Sequence, residues 1–152
     1  MKQHWENVYE TKNPQEVSWT QSIPKTSLNF INNLNLTKTT SIIDVGGGDS
    51  TLVDYLLDAG YTNITVLDIS EKALEKAKLR LKNRAHLVTW IISDILDFMP
   101  STKYDVWHDR ATFHFLTTSE QINSYRLLIN SSINEFIIIG TFSLTGPKNV
   151  AV

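Results

Sequence analysis

Apolar and polar positions along the chain follow two alternating rhythms. Short, nearly unbroken apolar runs recur at Ser41–Val45, Asn63–Asp68, Leu87–Ser93, Tyr104–His108 and Phe136–Gly140. Between them lie stretches whose apolar residues stand three and four apart. Ser50–Ala59 carries Leu52, Tyr55, Leu56 and Ala59, and Glu71–Arg84 carries Ala73, Leu74, Ala77 and Leu81. Glu120–Ser131 carries Ile122, Tyr125, Leu128 and Ile129. The first rhythm is that of buried strands and the second that of one-sided helices. Two more helices are expected ahead of the first strand. One covers residues 2–12 and is ended by Asn13–Pro14; the other opens on a Thr26 or Ser27 cap and runs to about Leu34. An irregular segment with Val17, Trp19 and Pro24 separates them.

Strands alternating with helices, each strand apolar almost throughout, predict an α/β fold with a doubly wound, Rossmann-like parallel sheet covered on both faces. The chain of 152 residues reads as one domain, a helical cap over 1–40 ahead of a core over 41–142. In such sheets ligands bind beyond the carboxyl ends of the strands. Here those ends are conspicuous. The first strand runs into D-V-G-G-G-D-S at 44–50, and the next three end on Asp68, Asp94 and Asp109. A glycine turn lets backbone approach a ligand closely, and the helix start after it offers free N–H groups.

Asp68 lies 20 residues past Gly48, the spacing at which a strand-end carboxylate accepts both hydroxyls of a ribose. The bland alternative is a turn or capping acid. Ile69 could lie against an adenine ring or simply pack in the core. Ser93, Asp94 and Ile95 suit an adenine edge, with an N-cap for residues 95–98 as the alternative for Asp94. A dinucleotide fingerprint needs a third glycine, and that position is Thr51. Asp44 also places negative charge beside the turn. It would repel a pyrophosphate and suit a ligand bearing a cationic amine.

Bulk properties narrow the classes. With 14 Lys and Arg against 16 Asp and Glu the net charge is −2, so no electrostatic case exists for binding nucleic acid or anionic membrane. No apolar run approaches membrane-spanning length, and Met1–Glu10 does not read as a signal peptide. The absence of cysteine excludes disulfides and thiolate chemistry and fits a reducing, cytoplasmic setting. No metal-ligand pattern is present.

The motifs together resemble class I S-adenosylmethionine-dependent methyltransferases, almost continuously over 41–142. D-V-G-G-G-D-S resembles that family's first motif, T-V-L-D-I-S its second, and I-S-D-I-L-D-F its adenine motif. Y-D-V-W-H-D-R-A-T-F-H-F-L is similar to its fourth-strand motif. The N-terminal H-W-E-N-V-Y-E-T-K is similar to a subgroup of small methyltransferases. The resemblance implies strand order 3-2-1-4-5 and S-adenosylmethionine as cofactor. It implies Asp44 at the methionine amine, Gly46, Gly47 and Gly48 along the methionine and ribose, and Asp68 at the ribose hydroxyls. Ser93, Asp94 and Ile95, with Ile69, would hold the adenine, Asp109 would stand near the departing methyl, and Trp19, with Trp5 and Tyr9, would lid the cofactor.

Methyl transfer needs a base only if the acceptor arrives protonated, and Asp109, His108 or His114 could serve. The acceptor implied is a small molecule or a protein side chain. The family usually adds a helix and two strands after the fifth strand, and this sequence lacks them, so the alternative is a non-catalytic or truncated cofactor-binding module. The same lack leaves F-I-I-I-G-T-F at a sheet edge with no proline or charge, and the expectation is a homodimer through that edge.

Overall fold

A computed structural model describes residues 1–11, 21–110 and 112–141. Trp19, Val17 and the segment 142–152 lie outside the described residues, so expectations placed on them are not addressed by it. Helices α1 (Lys2–Thr11) and α2 (Lys25–Asn33) precede strand β1 (Ile42–Val45). Helix α3 (Leu52–Asp58), strand β2 (Ile64–Asp68), helix α4 (Glu71–Leu81) and strand β3 (Val88–Ile92) follow. Strand β4 (Tyr104–Asp109), helix α5 (Ser119–Ser132) and strand β5 (Ile133–Ile139) complete the order.

All four strand pairings are parallel and the order is β3-β2-β1-β4-β5, the doubly wound arrangement expected. Register sets which side chains meet. Ile42 aligns with Ile64 and Val106, so the even-numbered positions of these strands share one face. That face joins Ile31 of α2, Leu52, Val53 and Leu56 of α3, and Leu74 and Leu81 of α4 in one core. The odd-numbered positions, Ile43, Val45, Leu67 and Trp107, form a second core with Tyr125 and Ile129 of α5 and with Ile95 and Phe98. No helix occupies the β3–β4 crossover, where residues 95–98 supply the cover. No helix of the described residues is long and apolar enough to cross a membrane.

Several boundaries differ from expectation for visible reasons. α4 stops at Leu81 because Lys82 turns to φ 54°, and a 3₁₀ turn over Lys82–Leu87 leads into β3. β5 begins at Ile133, directly out of α5, three residues before Phe136. α2 takes Pro24 at its N-cap with no side-chain cap, so neither Thr26 nor Ser27 plays that part. Proline needs no donor partner there. Ile122 is 41% exposed instead of facing inward, at the open start of α5.

Candidate functional site

β1 ends in a turn that reverses between Val45 and Leu52. Gly46 and Gly48 take φ of 67° and 47°, the left-handed region that favours glycine. The turn is also closely walled. A Cβ on Gly47 would come within 2.7 Å of Asp44 Oδ2 and of Val66 Cγ1. One on Gly48 would come within 2.7 Å of the Tyr9 hydroxyl and 3.0 Å of Asp68 Oδ2. Gly46 lies against Thr112. The backbone N–H groups of Gly46 and Gly47 are tied to the Leu67 carbonyl at 2.8 and 3.2 Å, which holds the turn over the end of β2.

Thr51 stands where a dinucleotide fingerprint would have its third glycine. Its hydroxyl reaches the carbonyls of Gln21 and Ser22, each at 3.2 Å, so it anchors the segment ahead of α2. The far side of the turn is clamped by a residue that periodicity alone did not single out. Arg80 of α4 donates to both carboxylate oxygens of Asp54, to Asp49 Oδ1 at 2.5 Å, and to the carbonyls of Asp49 and Ser50. Burial works against its charge, but Asp54 and Asp49 outweigh it and raise its pKa. In the sequence Arg80 reads only as a favourable charge near a helix C-terminus.

The acids at the strand ends are placed as follows. Asp68 Oδ1 accepts from the Ser70 N–H at 2.8 Å, while Oδ2 faces Gly48. Its carboxyl is pushed up to about 7, chiefly by burial; the charges of Asp44 and Glu6 add, and the Ser70 and Gly48 N–H groups oppose. Ser70 in turn caps α4 by accepting from Ala73 N–H. Ile69 beside it is half-buried. Asp94 Oδ1 accepts from Leu96 N–H at 3.0 Å, the local capping bond weighed from sequence, with Ser93 hydroxyl on the Asp94 carbonyl and Ile95 buried beneath. Ser93 N–H reaches the Asp68 carbonyl at 3.0 Å, which brings the ends of β2 and β3 together.

His108 and Asp109, two of the three residues considered for a base, point into the fold on opposite faces. His108 Nδ1 meets Asp44 Oδ1 at 2.7 Å, and Nε2 meets the Ser27 hydroxyl at 2.8 Å. Asp109 is 0% exposed. Its Oδ1 accepts from Thr112 N–H at 2.7 Å and its Oδ2 from the Tyr125 hydroxyl, which also receives the Trp107 indole N–H. Burial and the Asp109 charge hold the Tyr125 phenol protonated. Both side chains are engaged in buried hydrogen bonds that hold neighbouring elements together. His114 is half-buried in the 3₁₀ turn Phe113–Phe115 just beyond β4, with its pKa lowered by burial against the opposing charge of Asp109.

α1 lies across this end of the sheet. Glu6 accepts from the N–H groups of Glu71 and Lys72, the opening residues of α4, and Glu10 pairs with Lys72 at 2.5 Å. Trp5 stands edge-on to Phe115 with ring centroids 5.0 Å apart, and Tyr9 sits over Gly48. Of the two residues expected as a lid, Tyr9 thus stands at the glycine turn and Trp5 packs on Phe115.

A family model described as a methyltransferase domain matches residues 42–129, from the first residue of β1 into α5. The chain belongs to the methyltransferase domain family. No curated protein matches this methyltransferase-domain chain. Among solved structures, it is similar at TM-score 0.74 and 20% identity to one described by conversion of a disulfide bond into a thioacetal group during echinomycin biosynthesis, over 88% of this chain and 57% of that one. It is similar at TM-score 0.63 and 15% identity to an S-adenosylmethionine-dependent methyltransferase from Clostridium acetobutylicum, over 88% of this chain and 54% of that one. The glycopeptide N-methyltransferase MtfA complexed with S-adenosylmethionine matches at TM-score 0.59 and 14% identity, over 72% of this chain and 46% of that one. The chain thus spans about half the length of these solved relatives, and at such identities the likeness is one of fold.

Proposed function

We propose that this methyltransferase domain binds S-adenosylmethionine at the glycine turn and transfers its methyl group to a small-molecule or protein side-chain nucleophile. The observation that carries the reading is the pair of buried acids, Asp44 and Asp68, on one sheet face on either side of Gly46–Gly48. The residues present fit the group. Two acids suit a ligand with a cationic amine and ribose hydroxyls, and they disfavour a pyrophosphate. The glycine cradle has no room for a Cβ at Gly47 or Gly48.

The cofactor supplies an electrophilic methyl on a sulfonium. The chain's own residues do the rest. Asp44, whose Oδ2 faces the glycine turn, would hold the amine, and Asp68 would accept from the ribose hydroxyls. Ser93, Asp94 and Ile95 lie one strand further along, where an adenine would be read, with Ile69 beside them. Methyl transfer is an in-line displacement, so positioning and exclusion of water are the main tasks. α1 with Trp5 and Tyr9 provides the cover. His114, with its lowered pKa, is the group suited to take a proton where the acceptor needs one. The lack of cysteine fits a cytoplasmic setting.

A second reading, a module that binds the cofactor without turnover, is favoured by one observation: His108 and Asp109, two of the three groups considered for a base, are both engaged in buried hydrogen bonds. Incubation with methyl-labelled S-adenosylmethionine and a broad panel of acceptors separates the two. Label transferred to an acceptor is the expected result. Tight binding with no transfer to any acceptor would favour the module.

A further inference from the structure

Asp44 and His108 are register partners on β1 and β4, so their side chains leave the same face of the sheet. Their contact extends to a third residue on a different layer, Ser27 of α2. Asp44, His108 and Ser27 are only 3%, 3% and 4% exposed. Solvent therefore contributes almost nothing to satisfying them, and a polar chain of this kind is costly unless every bond is made. Apolar side chains would fill the same space at lower cost, as Val106 and Ile42 do two positions earlier on the same face.

The orientation it imposes is specific. Asp44 Oδ1 is engaged by His108 Nδ1 at 2.7 Å, and Oδ2 is turned to the glycine turn, 2.7 Å from where a Gly47 Cβ would stand. An ionised carboxylate only accepts, so Nδ1 carries the ring proton. Nε2 then accepts from the Ser27 hydroxyl, or donates to it when the ring is cationic. With the ring held at both nitrogens, Asp44 cannot rotate without breaking the chain.

We propose that His108, backed by Ser27, is a positioning residue that fixes Asp44 with Oδ2 presented to the amine of the cofactor's methionine part. This rests on the function proposed above. The geometry assigns His108 neither base chemistry nor ligand contact; it acts through Asp44 alone. Its influence is confined to the amino-acid end of the ligand, since Asp68 serves the ribose end from another strand.

That confinement makes the proposal testable on the full chain by calorimetric titration with two probes. S-adenosylhomocysteine carries the amine, and 5′-methylthioadenosine lacks the amino-acid part. His108→Leu is expected to weaken S-adenosylhomocysteine about tenfold or more, the scale of one charge-assisted bond, and to leave 5′-methylthioadenosine within about twofold. His108→Asn, whose amide nitrogen stands about where Nδ1 does, is expected to restore most of the loss, and Ser27→Ala to fall between. Equal loss for both ligands in a folded His108→Leu protein, or no loss for either, would overturn the proposal. Should His108→Leu fail to fold, nitrogen-15 spectra of the wild-type histidine decide instead: a proton on Nδ1 is expected, and a neutral ring protonated only at Nε2 would overturn it. Wild-type protein that binds neither probe would overturn the functional reading itself, an outcome distinct from a failure of His108 alone.

Discussion

Asp68 is a residue whose chemistry its surroundings change strongly. Burial, with the charges of Asp44 and Glu6 adding, pushes its carboxyl from the ordinary 3.8 up to about 7. The folded state therefore holds the proton more tightly than the unfolded state. This favours folding fully below 3.8 and the advantage is lost as pH rises through about 7. Stability of the empty protein is expected to decline across that window, and Asp68→Asn to flatten the decline and be more stable than wild type at pH 8 by about 1–3 kcal/mol. Urea titrations of both proteins at several pH values measure it; parallel pH profiles would contradict the assignment. Ribose hydroxyls donate to the ionised form, so cofactor affinity should rise with pH through about 7. Asp68→Ala should weaken cofactor binding by roughly 2 kcal/mol, read by calorimetry, with the fold retained.

At the scale of elements, the site is held by contacts between helices that no single helix reveals. Arg80 joins α4 to the glycine turn and to Asp54 at the start of α3. Arg80→Met leaves two acids and two carbonyls without their donor, and is expected to lower stability by about 1–3 kcal/mol and weaken cofactor binding with it. Chemical denaturation and calorimetry on the same variant check both. A variant as stable as wild type would mean that the clamp is surface decoration.

The strand-end acids and the glycine turn were legible in the sequence because their chemistry is local: a strand, a turn and a helix start in consecutive residues. The roles of His108 and Asp109 were not, because they depend on facing. Adjacent positions on β4 point to opposite cores, one to Asp44 and Ser27 and the other to Tyr125. Alternation could have separated the two, but only strand order and register name their partners. Ser27 read as a cap for the same reason, since hydroxyls near a helix start are usually caps and its true partner is 81 residues away. Arg80 and Glu6 act across helices, where periodicity carries no information.

At the scale of the whole molecule, β3 and β5 are the two edges of the sheet among the described residues. β5 pairs only with β4, and among the described residues nothing pairs with its outer edge. Ile137 and Ile139 on that strand are 48% and 40% exposed, while Phe136 and Ile138 pack on the core. The strand starts earlier than expected and so carries exposed Asn134 and Glu135 as well, while its second half, Ile137 to Ile139, keeps the apolar character that pairs readily with another chain. Two-fold self-association is the expected outcome, and Ile137→Lys should weaken it while sparing the core. Light scattering coupled to size exclusion checks this, and a clean monomer at high micromolar concentration would contradict it.

The turn between Asp44 and Asp68 suits S-adenosylmethionine better than a dinucleotide. Calorimetric titration of the wild-type chain with S-adenosylmethionine, and in parallel with NAD, tests it most directly. Saturable one-site binding of S-adenosylmethionine is expected, clearly tighter than NAD and much reduced in Asp68→Ala. Binding of NAD with none of S-adenosylmethionine would contradict it.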